Sequence, residues 1–292
     1  MTFLKKKYFV YLLKIIDIFK TKVMQILPEN FNNKGVKSSS QVSSYPELAL
    51  KAALNSKYYK VFRRHHLYTP ILEHVEKSLA QKYLNIVIDK YKISHAEIFE
   101  IIRPLQYIGN PKRILLKGLD FPVSSTAIRY LKVGLDIKDL YSQNQIEKVV
   151  EIGCGYGGQA IILNRLMELK SYTFIDIWQV NLLIRRFIED CGFDIKYQIS
   201  TLNELIYQDK NWDLLISNYA FSEIPKNVQK QYLKNIISRS FHGYMIMNSG
   251  KYGDKHGQIR NHSQKELLDL IPNARVTSEI PLSYEENYLL NW

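Results

Sequence analysis

Two cysteines in 292 residues are too few for a disulfide framework, and Cys154 and Cys191 lack any metal-ligand spacing. Their scarcity excludes a disulfide-stapled secreted scaffold and a zinc module, and it fits a reducing cytoplasm. Acidic residues are the minority, 28 against 40 Lys and Arg, for a formal charge of +12. The lysines are nonetheless scattered, with no dense basic block outside the N-terminus, so the excess reads as solvated surface and not as a nucleic-acid footprint. No apolar run is long and uncharged enough to span a bilayer. No internal repeat is evident. Against these absences stand an ordinary apolar content of 46% and 21 tyrosines. They describe a globular chain, long enough for one large domain or a domain with a helical extension.

Glycine is sparse as well, 13 in all, yet four crowd into the six residues from Gly153 to Gly158. The stretch Val149-Val150-Glu151-Ile152-Gly153-Cys154-Gly155-Tyr156-Gly157-Gly158-Gln159-Ala160 reads as a short apolar strand, a tight turn and the start of a helix running to about Leu169. Glycine permits φ > 0 and a close backbone approach to a ligand, and the helix behind the turn offers its unpaired N–H groups. Gly153, Gly155 and Gly158 satisfy the dinucleotide spacing G-x-G-x-x-G. Glu151, Gly153, Gly155 and Gly157 equally satisfy E-x-G-x-G-x-G, the pattern of S-adenosylmethionine (SAM) enzymes. A carboxylate here would repel a pyrophosphate, whereas SAM brings a sulfonium and an ammonium and no phosphate. Glu151 therefore favours SAM. Cys154, between two of these glycines, reads as a small packing group and not as a nucleophile.

The rest of the chain falls into order around this turn. Residues 1–27 hold six lysines (Lys5, Lys6, Lys7, Lys14, Lys20, Lys22) against one Asp17. Lys7, Lys14, Asp17, Thr21 and Gln25 share one narrow helical stripe and leave the remaining surface apolar. Such a basic amphipathic helix either lies in a membrane interface or packs on the body or on a second subunit. No small-residue cleavage site follows it, which argues against a signal peptide. Residues 28–45 read as a polar linker, and 46–140 as a helical N-terminal or cap region. Within that region Ser94 and Glu97 stand at capping-box spacing, and Ser124 or Ser125 opens a helix ending near Leu140. The basic run Arg63-Arg64-His65-His66 beside Tyr58, Tyr59 and Phe62 reads as a solvated helix face, with a substrate-phosphate role as the rival.

Residues 141–292 alternate strand and helix as a doubly wound α/β sheet does. The strands read as Lys148–Ile152, Tyr172–Ile175, Ile195–Ile199, Leu214–Ser217 and Tyr244–Met247, with late strands at Val276–Ile280 and Tyr288–Trp292. Ligands of such sheets lie over the carboxyl ends of the strands. Asp176 ends the second strand, 23 residues after Gly153, and can accept hydrogen bonds from both ribose hydroxyls. Glu151, Gly153, Gly155, Tyr156, Gly157, Gln159, Asp176, Asn203 and Asn218 form the expected cofactor-binding set. A hydroxyl acceptor must lose its proton as the methyl bond forms. Glu223 after the fourth strand, and His256 and His262 after the fifth, are the candidate bases. No metal is expected.

Several stretches together resemble the sugar O-methyltransferase family of bacterial surface-polysaccharide gene clusters. They are Ile108-Gly109-Asn110-Pro111, Ile128-Arg129-Tyr130, Val150 through Gln159, Ser217-Asn218-Tyr219-Ala220-Phe221-Ser222-Glu223, and Asn287-Tyr288. The similarity runs from about residue 46 to the end. It implies a Rossmann-like class I methyltransferase domain, SAM as cofactor, and a small-molecule or lipid- or nucleotide-linked sugar as acceptor. Residues 1–27 lie outside the resemblance; the expected setting is cytoplasmic, with this segment free to touch the inner face of the membrane.

Rival functions are weighed on particular residues. An amino-group nucleic-acid methylase calls for Asn/Asp-Pro-Pro-Tyr where this chain has Asn218-Tyr219-Ala220-Phe221. A cytosine C5 methylase needs a Pro-Cys nucleophile, and neither cysteine follows a proline. An NAD(P)-dependent sugar oxidoreductase is disfavoured by Glu151. A non-enzymatic scaffold would not need the glycines or Asp176.

Overall fold

The computed structural model describes residues 44–248, apart from 207 and 209, and residues 261–292. The expected helix over 1–27, most of the expected linker 28–45, and His256 lie outside these residues.

Local rules fix the helical region. Tyr45–Leu54 (α1) starts at the last residue of the expected linker, with a proline in its first turn, where no N–H is needed. Lys77–Asp89 (α2) is followed by His95–Ile102 (α3), whose N-terminus carries the Ser94/Glu97 capping box. In Ser125–Leu140 (α4) the cap is Ser124, whose hydroxyl accepts from the Ala127 N–H. A short ladder that periodicity does not reveal, Arg113–Ile114 (β1) with Val123–Ser124 (β2), leads into α4. The carbonyls at the end of α1 are satisfied from a distance. Arg186 donates to Ala52 O and Ala53 O at 3.2 and 3.0 Å while lying 3.9 Å over the Tyr59 ring.

The sheet follows the alternating pattern. Its strands are Lys148–Ile152 (β3), Ser171–Ile175 (β4), Lys196–Ser200 (β5), Trp212–Asn218 (β6), Ser240–Met247 (β7), Arg275–Ser278 (β8) and Tyr288–Asn291 (β9). They lie in the order β5-β4-β3-β6-β7-β9-β8. β3 to β7 are parallel, and β9 joins β7, and β8 joins β9, antiparallel. The longer helices between them are Gly158–Leu166 (α5), Trp178–Asp190 (α6), Lys226–Asn235 (α7) and Gln264–Leu270 (α8).

Both faces of the sheet are covered, which is why Leu214-Leu215-Ile216 reads as an unbroken apolar run. Leu214 and Ile216 face a core shared with α4, α5 and α6, whereas Leu215 faces Tyr232 of α7 and Leu267 of α8. Each such side chain, fully buried, contributes about 1.5–3 kcal/mol. Close approach also explains Gly134 and Gly243. A Cβ on Gly134 would sit 2.7 Å from Leu166 on α5, and one on Gly243 would sit 2.1 Å from the Trp292 ring. Among the described residues no helix is long and apolar enough to cross a membrane.

Candidate functional site

The reversal of strand order between β3 and β6 opens a crevice at the carboxyl ends of the central strands. The glycine turn crosses one side of it. Gly153, Gly155 and Gly157 take φ of +73°, +60° and +86°, a region costly for any residue with a Cβ. At Gly153 a Cβ would also lie 2.0 Å from that of Ala220, in the turn after β6. Gly157 caps α5 with no side-chain hydrogen bond, so the first N–H groups of that helix have no side chain to satisfy them.

Asp176 stands at the end of β4. Its two oxygens accept from the Ile177 N–H at 2.8 Å and the Gly155 N–H at 3.3 Å, which ties it to the glycine turn. Burial lifts its carboxyl to about 6, although these backbone N–H groups pull it down. Each oxygen keeps a lone pair for a hydroxyl.

Glu151 is placed differently from the sequence expectation. Side chains alternate along a strand. Val150 and Ile152 face the α7/α8 side, so Glu151 turns to the other face, where it is 2% exposed and accepts from the Tyr172 hydroxyl at 2.9 Å. Burial raises its carboxyl to about 8. At neutral pH it is therefore an acid held inside the core, not a carboxylate open to the crevice. Cys154 is the packing group expected, buried with its thiol toward the Glu151 and Ile175 carbonyls.

Tyr156 and Gln159 also point inward. The Tyr156 ring is fully buried among Phe62, Tyr130 and Phe187, so only its backbone is left for a ligand. Gln159 donates to Tyr130 O at 3.2 Å and receives the Asn218 amide at 3.4 Å. This contact orients Asn218 at the end of β6 and leaves its Oδ1 buried without a hydrogen-bond partner. Asn203 sits exposed on a one-turn helix beyond β5.

The stretch Ser217–Glu223 forms a tight knot. The Ser217 hydroxyl donates to Ile152 O and accepts from the Phe221 N–H, both at 3.1 Å. Tyr219 takes φ +70°, uncommon for a residue with a Cβ. It is clamped there: its N–H donates to Ile246 O at 2.7 Å, and its hydroxyl bonds to Glu279 and, at 3.0 Å, to Ser283. Glu223 accepts from the Asn248 amide at 3.1 Å. His262 braces the same knot from behind. Its backbone N–H and its Nδ1 both meet Gln229 Oε1, at 2.7 and 2.8 Å, while Gln229 donates to Phe221 O. At 5% exposure, its basicity lowered by burial, His262 has the surroundings of a support.

Sequence reasoning missed three features. Arg63 is not on a solvated face: it is fully buried and bound to Glu73, Leu105 O and Ser124 Oγ. Glu279 is a buried acid that nothing in its local sequence marks. Arg129, within the quoted stretch Ile128-Arg129-Tyr130, was given no role. It is buried at the edge of the crevice with its guanidinium 5.4 Å from the Tyr130 ring and 5.7 Å from the Tyr219 ring. Nearby His74 is depressed to about 4 by burial and the Arg129 charge, so it is neutral at physiological pH.

Residues 149–239, which span the glycine turn, Asp176 and the Tyr219 knot, match the family model of a methyltransferase domain. These residues are a methyltransferase domain, for which S-adenosylmethionine is the methyl donor. Among curated proteins the sequence finds no match. Solved structures similar to this chain include mitomycin 7-O-methyltransferase MmcR, at 14% identity and TM-score 0.44 over 57% of this chain. The alignment spans 55% of that protein, little more than half its length. N-methyltransferase NodS from Bradyrhizobium japonicum WM9, in complex with S-adenosylhomocysteine, is similar at 14% identity and TM-score 0.44, over 57% of this chain and 85% of that one. The methyltransferase domain of bacterial CtHen1-CN gives 16%, 0.41, 56% and 97% for the same quantities.

The residues at the crevice fit S-adenosylmethionine. The orphaned Asn218 Oδ1 is an acceptor for an ammonium, Asp176 has lone pairs for ribose hydroxyls, and the turn is built of positive-φ glycines. When bound, SAM supplies a methyl carbon already activated by its sulfonium. The protein's task is then to align the acceptor with that carbon.

Proposed function

We propose that this methyltransferase transfers the methyl group to a sugar hydroxyl, in the assembly of a surface polysaccharide, with Glu223 receiving the hydroxyl proton. The observation that carries the reading is the Ser217–Glu223 knot. This most distinctive stretch of the family resemblance holds Glu223 at the carboxyl end of β6, beside the Asn248 amide. Tyr219, fixed in the same knot, supports it by offering an aromatic ring beside the crevice, a surface suited to the apolar face of a pyranose. The cofactor side is carried by the glycine turn, Asp176 and Asn218. Asn203 belongs to the rim of that side, and Tyr156 and Gln159 to its support. His262 is the less available base on this reading, because its ring is engaged with Gln229.

The test is transfer of label from methyl-labelled SAM to lipid-linked or nucleotide-linked glycans. Label in a sugar methyl ether supports the reading. Label in RNA, DNA or protein, with none in the glycans, overturns it.

A further inference from the structure

We infer that Arg129 is a carboxylate-binding residue of the crevice, and that an anionic ligand group completes its coordination. Arg129 is 6% exposed, and a buried guanidinium is costly unless it is paired. The other deeply buried arginine among the described residues shows what full pairing looks like: Arg63 has a carboxylate, a carbonyl and a hydroxyl around it. Arg129, by contrast, makes no hydrogen bond or ion pair with the described residues, and its guanidinium lies against the rings of Tyr130 and Tyr219. The buried acid on that side, Glu279, is already engaged by the Tyr219 hydroxyl and by Ser283. Five donors in a planar fork are left for a ligand, and a carboxylate matches that fork with two parallel hydrogen bonds.

The surroundings give the donors a direction. Tyr219 stands at the carboxyl end of β6, next to Asn218 with its orphaned acceptor. The relay Asn218–Gln159–Tyr130 O joins that acceptor to the residue after Arg129. An unpaired cation and an unpaired acceptor, linked in this way, suit a group carrying both a carboxylate and an ammonium. The methionine end of SAM is such a group. A uronic-acid carboxylate on the acceptor offers the anionic half alone.

The experiment measures binding to the full chain by calorimetry, for wild type, Arg129→Gln and Arg129→Lys. The cofactor arm compares SAM with decarboxylated SAM. The acceptor arm compares glucuronate with glucose on protein saturated with S-adenosylhomocysteine. If the cofactor supplies the carboxylate, wild type prefers SAM by about tenfold to a hundredfold, the range of a hydrogen bond to a charged group. Arg129→Gln then abolishes the preference and Arg129→Lys retains part of it. If the acceptor supplies it, the two cofactor forms bind alike, and glucuronate binds wild type but not Arg129→Gln. Should Arg129→Gln fail to fold, the two wild-type comparisons decide. No discrimination in either arm overturns the inference. Because the inference rests on the cofactor assignment, absence of all SAM binding overturns both, whereas equal binding of the two cofactor forms leaves that assignment standing.

Discussion

The guanidinium of Arg63 lies 4.5 Å over the ring of Tyr156, so a residue of the helical region roofs a residue of the glycine turn. The same guanidinium bonds Glu73 at 2.5 Å, Leu105 O at 2.5 Å and the capping Ser124 at 3.1 Å. One buried charge thus ties the helical segments, the start of α4 and the turn together. Removing it leaves the Glu73 carboxylate, itself almost wholly buried, without its counter-ion. Arg63→Ala should therefore lower stability by about 3–5 kcal/mol, seen as a reduced midpoint in urea. A change below about 1 kcal/mol would mean that the helical region is not anchored through this residue.

Asp176 should make cofactor affinity depend on pH. Its ribose-accepting form is the carboxylate, and its carboxyl is lifted to about 6 by burial. Affinity should hold above that pH and weaken as pH falls through it. Asp176→Ala should bind SAM about 1.5–3 kcal/mol more weakly, with the acid-side dependence gone. Calorimetry between pH 5 and 8 checks both.

Glu151 gives a stability signature of the opposite kind to a salt-bridged acid. Its folded carboxyl, at about 8, lies above the ordinary 4.5, so the folded state holds a proton that the unfolded state releases. The associated stability is fully present below about 4.5 and is lost as pH rises through about 8. In Glu151→Gln that decline should disappear, leaving a flatter profile of denaturation midpoint against pH. An unaltered profile would show that Glu151 is ionised in the core.

Glu223→Gln tests the proposed base. Loss of a general base costs roughly 10²–10⁴ in rate, while SAM affinity stays near wild type because Glu223 serves the acceptor. His262→Ala should act through stability, since its partner Gln229 holds Phe221 O. Single-turnover rates with an active glycan acceptor, measured beside melting temperatures, separate the two effects.

The sheet and the turn were legible because their causes are local. Period-two and continuous apolar runs marked the strands, the glycines marked a positive-φ turn, and Ser94 and Glu97 marked a helix start that the structure reproduces. The side chains at the crevice were less legible because their roles depend on partners far along the chain. Tyr219 meets Glu279 across 60 residues, and Arg63 meets Ser124 across 61. The basic run at Arg63 looked solvated because composition does not show that one of its members points inward. Glu151 illustrates the same gap from the other side. Its type and spacing match the SAM pattern, while its direction, set by strand alternation, sends the carboxyl into the core.

The central claim is that the glycine turn, Asp176 and Asn218 hold S-adenosylmethionine. Calorimetric titration of the full chain with S-adenosylhomocysteine, NAD and NADP tests it most directly. The account predicts saturable S-adenosylhomocysteine binding, weakened in Asp176→Ala, and no heat from either dinucleotide. Tight NAD or NADP binding with none for S-adenosylhomocysteine would contradict it.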